Sequence, residues 1–533
     1  MGIDTTIMTV LFIALVIYYL YICILAVMVK DPSARPHDSQ PFHFVFMIPC
    51  RNEEAVIAVT IRRLLEVDHP DRRILVINDG STDSTEEVVK TFAETGAVEV
   101  ITTVDSGRGK GEALNFGFRH VLERLADEGI TSYENVLIGI LDADGQPSPN
   151  ICSAVEPFFD DPEVGAVQTA VRIANADSNL IAACQDIEFT GFSRSIQRGR
   201  DRLGSVGLGG NGQFARLSAL ASLSMDRPWN TSLTEDLDIG IRLIQAGWKV
   251  RFCAAAYVAQ QGVEKFRPLI VQRVRWMQGH YTCWKYIPSL LRNRNLRVRT
   301  RLDNSAYLVL GVTPFIVFLS IVLSFLAAVG AITVYNKLAD MLLGISFLLY
   351  ILMFYFLSFV IAIVFVTFYA RAGRMSFWRL VVMYNVFAVY TLMWIPASFG
   401  AVINLVRGET VWVKTGRTEI LEYAVLRDFP RVELSIPVSV TAGGRDASVT
   451  IRDASAGGIG VQLTKKAYLD GPIRVISTGN RVEVRAPVSG RTVAAEVVWV
   501  AYLGRNQVRS GLRFTDPPTV DVHDDFGYAS RYI

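Results

Sequence analysis

Hydrophobic residues are unevenly distributed along the chain of 533 residues, and the first long apolar run stands near its beginning. From about Ile7 to Val29 the run contains no charge, and it is long enough to cross a bilayer, which takes about 20 residues. A signal peptide is the alternative, although its apolar core would be only roughly 7–15 residues long. Because Lys30 and Arg35 follow the run, we predict a membrane anchor over residues 1–30 whose C-terminal end faces the cytosol.

Short apolar runs alternate with helical patterns over residues 40–290. The strand-like runs are Phe42–Ile48, Ile74–Asn78, Val98–Thr103 and Val136–Leu141. The second run stops at Asp79-Gly80, and the Ser-Thr-Asp that follows is typical of the start of a helix. Short β-branched strands that alternate with helices predict an α/β domain with a mostly parallel sheet covered on both faces.

Three long apolar stretches follow within residues 303–407. Two of them, Ala306–Tyr335 and Met341–Ala370, can each span a membrane with some tilt. The third, Phe377–Val406, is interrupted by Pro396 and has basic residues at both ends. A full span would place the C-terminus outside the cell, whereas a re-entrant or interfacial segment would keep it inside. The flanking charge favours the second alternative.

The composition returns to that of a soluble protein from about residue 419. Its β-rich runs are Val432–Val440, Ala447–Ile451, Arg481–Ala486, Thr492–Val500 and Arg509–Phe514. Turns that contain Gly and Asp separate them. This spacing predicts a small antiparallel β-barrel over residues 419–518, and we assign residues 519–533 to a tail.

Charge is informative locally rather than over the whole chain. The net charge of +2 gives no support for nucleic-acid binding, and we expect no nucleic-acid partner. Basic residues instead stand beside the apolar stretches, at Arg292, Arg294, Arg297, Arg299, Arg301, Arg371, Arg374 and Arg379. Such clusters usually mark cytoplasmic faces. The six cysteines form no CxxC pair, so we expect reduced cytosolic thiols rather than disulfides or a zinc site.

Carboxylates end two of the predicted strands. Asp79 follows one strand, and Asp142 and Asp144 follow another. Ligands of parallel sheets bind beyond the carboxyl ends of the strands. Two aspartates at positions i and i+2 can converge on one cation, and their hard oxygen atoms suit Mg²⁺ or Mn²⁺, which bridge carboxylates to diphosphates. A capped turn is the alternative for this pair.

A second acidic motif, Thr234-Glu235-Asp236, stands at the start of a predicted helix. Capping of the helix N-terminus is the alternative to a catalytic role. Further along, Gln272-Arg273-Val274-Arg275-Trp276 places an amide, a guanidinium and an indole within about one and a half helical turns. A guanidinium suits diphosphate oxygens, and an indole face can stack on a sugar ring. An amphipathic helix at the membrane surface is the alternative, and the two roles are compatible.

Together and in this order, these elements resemble the processive membrane synthases of glycosyltransferase family 2, such as bacterial cellulose, poly-N-acetylglucosamine and hyaluronan synthases. The resemblance covers about residues 40–417. It implies a nucleotide-binding GT-A fold, which is Rossmann-like, with Asp79 on the uracil and ribose side and Asp142 and Asp144 at the diphosphate and metal. It further implies that Asp236 is the general base, beside Glu235 and Thr234, and that the diphosphate and the end of the growing chain are held by Gln272, Arg275 and Trp276.

The chemistry of an inverting transfer agrees with this division of roles. One base must deprotonate the attacking hydroxyl, and a cation must stabilise the leaving diphosphate. Because the base has to lie across the sugar from the metal, it should come from a separate segment, and Asp236 meets that requirement.

Two loops also resemble parts of these synthases. The loop around Lys110, Gly107-Arg108-Gly109-Lys110-Gly111, is similar to the basic loop near the donor pyrophosphate, with a flexible solvent loop as the alternative. Residues 408–418 resemble the gating loop that closes over the donor, with Trp412, Thr415 and Arg417 as its candidate residues. A connector without that function remains the alternative.

One segment departs from the pattern of cellulose synthases. Those enzymes usually carry Phe-x-Cys-Gly ahead of the second acidic motif, whereas this chain reads Gly-Leu-Gly-Gly-Asn-Gly-Gln-Phe over residues 207–214. This segment should approach the acceptor. Cellulose as the product is therefore in doubt.

The C-terminal part carries a pair of short motifs. Arg427 and Arg431 are spaced as RxxxR, and Asp453, Ser455 and Gly458 are spaced as DxSxxG. Each alone is commonplace, as a solvated basic face or a turn. Jointly they resemble the PilZ family, which implies that these residues bind cyclic di-GMP. Arginine suits phosphate and guanine. This role requires a cytosolic C-terminus.

We therefore predict an inverting, cyclic di-GMP-activated glycosyltransferase of the bacterial cytoplasmic membrane. It would be multi-pass, with both soluble domains cytosolic, and it would polymerise a β-linked polysaccharide from a UDP-sugar such as UDP-glucose and export it. Mg²⁺ or Mn²⁺ is the expected cofactor, and a periplasmic or outer-membrane export partner is expected. The alternatives are a non-processive enzyme that makes a glycolipid and a catalytically inactive, nucleotide-sensing secretion component.

Overall fold

The computed structural model describes residues 5–29, 42–334 (apart from 68, 95, 97, 105 and 106), 359–371, 377–409 and 432–515, the last with gaps at 443–444, 456–457, 465–480, 486–490 and 504–506. The chain folds into two units. The first comprises Met1–Tyr369 and Phe377–Ile420, and the second comprises Ala370–Ser376 and Leu421–Ile533.

An eight-stranded sheet forms the centre of the first unit. Its strands are β1 (His43–Cys50), β2 (Arg72–Asn78), β3 (Val98–Thr102), β4 (Val136–Ile140), β5 (Gln146–Pro147), β6 (Val164–Ile173), β7 (Gln213–Arg216) and β8 (Lys249–Gln260), in the spatial order β3-β2-β1-β4-β7-β6-β8-β5. The pairs from β3 to β4 are parallel, as the sequence predicts. Beyond β4 the sheet is mixed, because β7 runs antiparallel to both of its neighbours.

The direction of β7 matters for the site. Its first residue, Gln213, pairs with the last residue of β4, Ile140. The loop that precedes β7, residues 207–212, therefore reaches the edge of the sheet at which the parallel strands end.

Helices cover both faces of this sheet. They are α2 (Ile57–Leu65), α3 (Thr85–Ala93), α4 (Lys110–Asp127), α5 (Ile151–Val155), α6 (Leu180–Gly191), α7 (Arg198–Leu203), α8 (Leu217–Leu223) and α9 (Glu235–Gln245), with a π-helical segment, Phe192–Gln197, between α6 and α7. Along β1, Phe44 and Phe46 face a core that includes α2, whereas Val45 and Met47 face a second core that includes α4. Alternate residues of one apolar strand thus fill two cores, as expected of a covered sheet.

Further helices precede and follow the sheet, and the apolar ones among them are the first and the last four. They are α1 (Thr5–Val27), α10 (Phe266–Thr282), α11 (Ile287–Arg292), α12 (Val298–Val309), α13 (Thr313–Val334), α14 (Phe359–Ala370), α15 (Phe377–Thr391) and α16 (Trp394–Arg407). Within the described part of the chain, three segments could cross a membrane by length and composition: Val10–Val27, Val298–Leu323 and Trp378–Arg407. The predicted span over residues 341–370 lies within the described residues only from residue 359.

The third apolar stretch is broken into two helices. A turn at Leu392-Met393 separates α15 from α16, and α16 packs against α10 through Ala397 and Ala401. The regular α-helical hydrogen bonding is thus interrupted close to the proline that the sequence singles out. Whether this segment crosses the membrane or re-enters it remains a prediction.

The second unit consists of β-strands in its described part. They are β9 (Val432–Ala442), β10 (Arg445–Ser455), β11 (Gly458–Thr464), β12 (Arg481–Arg485), β13 (Thr492–Leu503) and β14 (Gln507–Phe514). All pair antiparallel in the order β10-β11-β14-β13-β12-β9, and the pairing of β9 with β10 closes the ring. The hydrophobic pattern did not predict β11, because glycines occupy two of its first three positions.

Candidate active site

Asp79 lies where β2 ends. Its Oδ1 accepts hydrogen bonds from the Thr103 hydroxyl (3.0 Å) and from the Gly107 N–H (3.0 Å). The carboxylate therefore fixes the loop after β3 against the end of β2. Asp79 is buried, and it lines a large cavity at this edge of the sheet.

Asp142 and Asp144 follow β4 and line the same cavity. The Lys110 ammonium donates to Asp142 Oδ1 at 2.6 Å. Asp144 is buried, and its Oδ2 accepts from the Gln261 N–H at 2.9 Å. The Asn211 side chain accepts from the Asp142 N–H at 3.2 Å, which holds the bend after β4 against the glycine-rich loop.

Lys110 connects three segments of the site. It is the first residue of α4, and its ammonium reaches Asp142, the Gly210 carbonyl (2.8 Å) and Glu235 Oε1 (3.3 Å). Burial disfavours the charged form, but the carboxylates of Asp142, Glu235 and Asp236 outweigh it and raise the pKa of Lys110. The lysine is therefore a fixed positive charge in the cavity wall. A flexible solvent loop, the alternative for this segment, would leave the lysine side chain exposed.

The second acidic motif begins α9. Thr234 is the N-cap residue, and its side chain makes no capping hydrogen bond. Asp236 lines the cavity, and its Oδ1 accepts from the Leu237 N–H at 2.7 Å. Burial, and next the charge of Glu235, raise the pKa of Asp236 to about 7, although Lys110 lowers it. A carboxylate with a pKa near neutral pH is well matched to general-base catalysis.

Helix α10 brings the third predicted motif to the cavity. Gln272, Arg275 and Trp276 all line it. The Trp276 ring meets the Phe189 ring edge to face, with the centroids 6.0 Å apart. Three residues after Trp276, a Cβ atom added to Gly279 would lie 2.4 Å from the Thr234 side chain, so a glycine is required where α10 touches the acidic motif.

The cavity has a volume of about 1280 Å³ and extends well beyond the carboxylates. At one end lie Asp79 and the loop around Lys110. At the other end it is lined by residues of the apolar helices, among them Tyr18, Pro314, Ile361, Phe387 and Trp394. A single space in the first unit therefore joins the end of the parallel sheet to the candidate membrane helices.

The glycine-rich loop supplies site residues whose contacts sequence reasoning did not foresee. The Gly209 N–H donates to Gln168 Oε1 at 2.7 Å, and Gln168 Nε2 donates to the Asn211 carbonyl at 2.9 Å. A Cβ atom on Gly210 would lie 3.0 Å from Lys110 Nζ and 3.3 Å from Asp236 Oδ2. The run of glycines is the sequence feature that could have indicated these contacts. Because glycine has no side chain, the backbone of the loop can lie next to Asp236, the proposed base.

The aspartate pair after β4 fits part of a divalent metal site. Within the described residues, no group of three or more His, Cys, Asp or Glu side chains is arranged to hold a metal ion. Mg²⁺ in nucleotide enzymes is bound by one or two carboxylates plus substrate phosphates and water. Asp142 and Asp144 meet that requirement, so the remaining ligands would come from a diphosphate and water.

Some predicted site residues belong to other parts of the chain. The gating candidates Trp412, Thr415 and Arg417 and the arginines Arg427 and Arg431 lie outside the described residues. The DxSxxG motif lies at a hairpin: Asp453 and Ser455 are at the end of β10, and Gly458 begins β11 and pairs with Ser455.

Two protein-family models match this chain, one on each side of the apolar helices α13–α16. Residues 41–279 match the model described as glycosyltransferase like family 2, and residues 426–526 match the PilZ domain. The probable glycosyltransferase YdaM of Bacillus subtilis is 27% identical over 70% of this chain and 86% of that protein.

Two groups of named synthases are also similar. The β-monoglucosyldiacylglycerol synthase of Nostoc sp. is 33% identical over 48% of this chain, and the poly-β-1,6-N-acetyl-D-glucosamine synthase of Staphylococcus epidermidis is 29% identical over 44%. The chain spans about half the length of each, 53% in both cases.

A solved structure confirms the predicted GT-A fold. The mannosyltransferase PcManGT from Pyrobaculum calidifontis, in complex with GDP-mannose and Mn²⁺, matches 75% of this chain and 99% of its own length, with a TM-score of 0.52 and 18% identity. At that identity the likeness concerns the fold alone. The family matches show that the chain contains a glycosyltransferase family 2 domain over residues 41–279 and a C-terminal PilZ domain over residues 426–526.

Proposed function

We propose that this enzyme is an inverting transferase that adds sugars from a UDP-sugar, with UDP-glucose as the first candidate, to the end of a β-linked polysaccharide and passes the polymer into the membrane. One observation carries the proposal. The cavity that contains Asp142, Asp144 and Asp236 continues without interruption to the apolar helices. An acceptor that stays bound while it grows needs such a path.

The donor would lie along the edge of the parallel strands. Asp79, buried at the end of β2, would contact the nucleoside, and Lys110 and Arg275 would face the diphosphate. Mg²⁺ or Mn²⁺ held by Asp142 and Asp144 would supply positive charge to the leaving diphosphate. Lys110 is already held among carboxylates, so it adds a fixed positive charge without reorganising during the reaction.

Asp236 would act as the base. It comes from α9, whereas the aspartate pair follows β4, so the two carboxylate groups can approach a sugar from different sides. With its pKa raised to about 7 by burial and by Glu235, Asp236 can take the proton of an acceptor hydroxyl as that hydroxyl attacks the anomeric carbon. The bond to the diphosphate breaks as the new glycosidic bond forms, and the anomeric configuration inverts.

The acceptor end of the cavity supports a polymer. Trp276 and Phe189 present aromatic surface next to the reaction centre, and sugar rings stack on such surfaces. The similarity to a poly-β-1,6-N-acetyl-D-glucosamine synthase agrees with a chain as acceptor. A glycolipid product is the second candidate, because β-monoglucosyldiacylglycerol synthases are at least as similar and the cavity opens among apolar helices.

Regulation by cyclic di-GMP belongs to the same proposal. The PilZ match includes Arg427, Arg431 and the hairpin that carries Asp453, Ser455 and Gly458. Binding there would activate the transferase, with both soluble parts in the bacterial cytosol, a multi-pass anchor in the cytoplasmic membrane and an export partner beyond it. This arrangement requires that the third apolar stretch does not carry the C-terminus across the membrane.

The experiment is a donor panel. Purified full-length protein in lipid nanodiscs would be incubated with radiolabelled UDP-glucose, UDP-N-acetylglucosamine and GDP-mannose, each with and without Mg²⁺ and cyclic di-GMP. We expect a metal-dependent product from a UDP-sugar, and linkage-specific glycosidases would identify its β-bond. An α-linked product, or transfer from GDP-mannose alone, would overturn the proposal.

A further inference from the structure

Glu188 is a carboxylate in the wall of the cavity that no sequence motif accounts for. It belongs to α6, next to Phe189, whose ring meets Trp276. The side chain is 15% exposed, and it does not belong to the group of carboxylates around Lys110. A charged side chain in this position, between the reaction centre and the apolar helices, needs a physical explanation.

One oxygen of Glu188 is held by two donors from other helices. Arg273 Nη2 of α10 donates to Oε2 at 2.5 Å, and the Tyr390 hydroxyl of α15 donates to the same atom at 2.8 Å. Among the residues that the structure describes, no donor reaches the other oxygen, Oε1. The carboxylate is thus fixed in position with one oxygen remaining to accept a hydrogen bond from a molecule in the cavity.

Arg273 fixes the neighbouring indole as well. The arginine is fully buried, and its guanidinium carbon lies 4.0 Å from the centroid of Trp276 and 5.2 Å from that of Trp394. Arg273 does not line the cavity, whereas Glu188 and Trp276 do. One buried cation therefore orients an aromatic ring and a carboxylate that both face the same space.

We propose that Glu188 and Trp276 form a subsite for a sugar residue of the growing chain, in which Glu188 Oε1 accepts a hydrogen bond from a ring hydroxyl while the indole packs on the ring. A hydrogen bond to a charged carboxylate is stronger than one to a neutral oxygen atom. An aromatic face complements the apolar C–H face of a pyranose. A diacylglycerol acceptor has a single hydroxyl, which is the one that attacks the donor, and it has no pyranose ring to pack on the indole. The inference rests on the proposed function and narrows its acceptor to a polyhydroxylated chain.

The test compares chain lengths made by Glu188→Gln with those of the wild type in nanodiscs. Loss of a hydrogen bond to a charged group accelerates release of the chain by about tenfold or more, so we expect polymers about tenfold shorter. The KM for the donor should stay unchanged, because the donor carboxylates are intact. Glu163→Gln is the matched control, since Glu163 is an exposed carboxylate paired with Lys249.

A second variant separates sugar binding from charge balance. Glu188→Gln leaves the buried Arg273 without its counter-charge, which alone can destabilise the fold. Glu188→Gln combined with Arg273→Met removes both charges and replaces the arginine by an apolar side chain. We expect this double variant still to make short chains, whereas recovery of wild-type length would show that Glu188 only neutralises Arg273 and would overturn the subsite.

Two other outcomes are equally clear. Wild-type polymer length from Glu188→Gln would sink the subsite and leave the proposed polymerisation intact. Absence of any polymer from the wild-type enzyme, with small lipid-soluble products instead, would refute the proposed function and the subsite together.

Discussion

At the scale of single residues, the site depends on how a few charges are held close together. Lys110 lies between Asp142 and Glu235, and Asp236 is near enough to both acids for their charges to raise its pKa. Because Lys110 contacts both Asp142 and the acidic motif at the start of α9, it would keep the metal ligands and the proposed base in place before substrate binds. The proposed roles of these residues, as general base and as metal ligands, can each be tested by one substitution.

We expect Asp236→Asn to abolish transfer and to leave donor binding nearly intact, because the change removes the base and keeps the shape. General-base catalysis is worth about 10²–10⁴-fold, so turnover should fall by at least that lower figure. Nucleotide release gives the rate, and calorimetry gives the UDP affinity. Turnover above roughly a tenth of the wild-type value would show that another group takes the proton.

The pH dependence follows from the raised pKa of Asp236. A base must be unprotonated, so kcat/KM should rise with pH and level off above an apparent pKa near 7, the value set by burial and by Glu235. Below it, the rate should fall about tenfold for each pH unit. A profile that stays flat down to pH 5 would assign the base to a carboxylate with an ordinary pKa, and Glu163→Gln is the control that should keep the wild-type profile.

The predicted role of Asp142 and Asp144 as metal ligands can be tested by removing one of the two carboxylates. Asp144→Ala should lose the metal-dependent part of UDP binding, because the diphosphate would share its ion with one carboxylate instead of two. UDP affinity would be measured in saturating Mg²⁺ and in EDTA. Asp161→Ala is the control, since Asp161 pairs with Lys249 at the surface. If Asp144→Ala binds UDP like the wild type in Mg²⁺, the pair does not hold the metal.

The same scale shows what the sequence could and could not predict. Asp79, Asp142, Asp236 and Trp276 belong to motifs whose residue types and positions at strand or helix ends carry recognisable chemistry, and all of them line one cavity. Glu188 and Arg273 carry no such signal, because they are 85 positions apart on two helices of ordinary pattern and meet only in the folded chain.

At the scale of elements, the site is assembled where α9 and α10 meet the mixed half of the sheet. The hydrophobic pattern predicted the parallel half, whose strands are apolar runs of five or more residues. It did not predict β7, which has four residues, too few to show a period, and which reverses the direction of the sheet. That reversal brings the glycine-rich loop beside Asp236.

The contact between α9 and α10 provides a test at this scale. A Cβ atom on Gly279 would clash with Thr234, so Gly279→Ala must push α10 away from the acidic motif. A shift of about 1 Å in a catalytic group can cost about 10²-fold in rate, and we expect a loss approaching that size. Val271→Ala, at an exposed position of the same helix, should be nearly silent. Wild-type turnover in Gly279→Ala would show that this contact does not position the motif.

At the scale of the whole molecule, a transferase unit and a PilZ unit share one chain. Only about ten residues separate the gating candidates, which end at Arg417, from Arg427. We propose that so short a connector transmits a movement of the arginines to the segment before it. Control of this kind requires two states of the loop that differ in affinity for the dinucleotide.

We therefore expect cyclic di-GMP to raise turnover of the wild type, and Arg431→Ala to lose both binding and stimulation while it keeps basal activity. Calorimetry measures the binding, and UDP release with and without the dinucleotide measures the coupling. Arg481→Ala, at an exposed position of β12, is the matched control. Tight binding to the Arg431→Ala protein would refute the site, and a wild-type rate indifferent to the ligand would refute the coupling.

We propose that one cavity both transfers sugars and retains the growing chain. A pulse–chase measurement tests it most directly: enzyme in nanodiscs receives labelled UDP-sugar briefly, then an excess of the unlabelled donor, and the size of labelled products is followed in time. We expect label to move into steadily longer, lipid-insoluble chains during the chase, and Asp236→Asn to incorporate none. Label that stays in small, lipid-soluble products throughout the chase would contradict it.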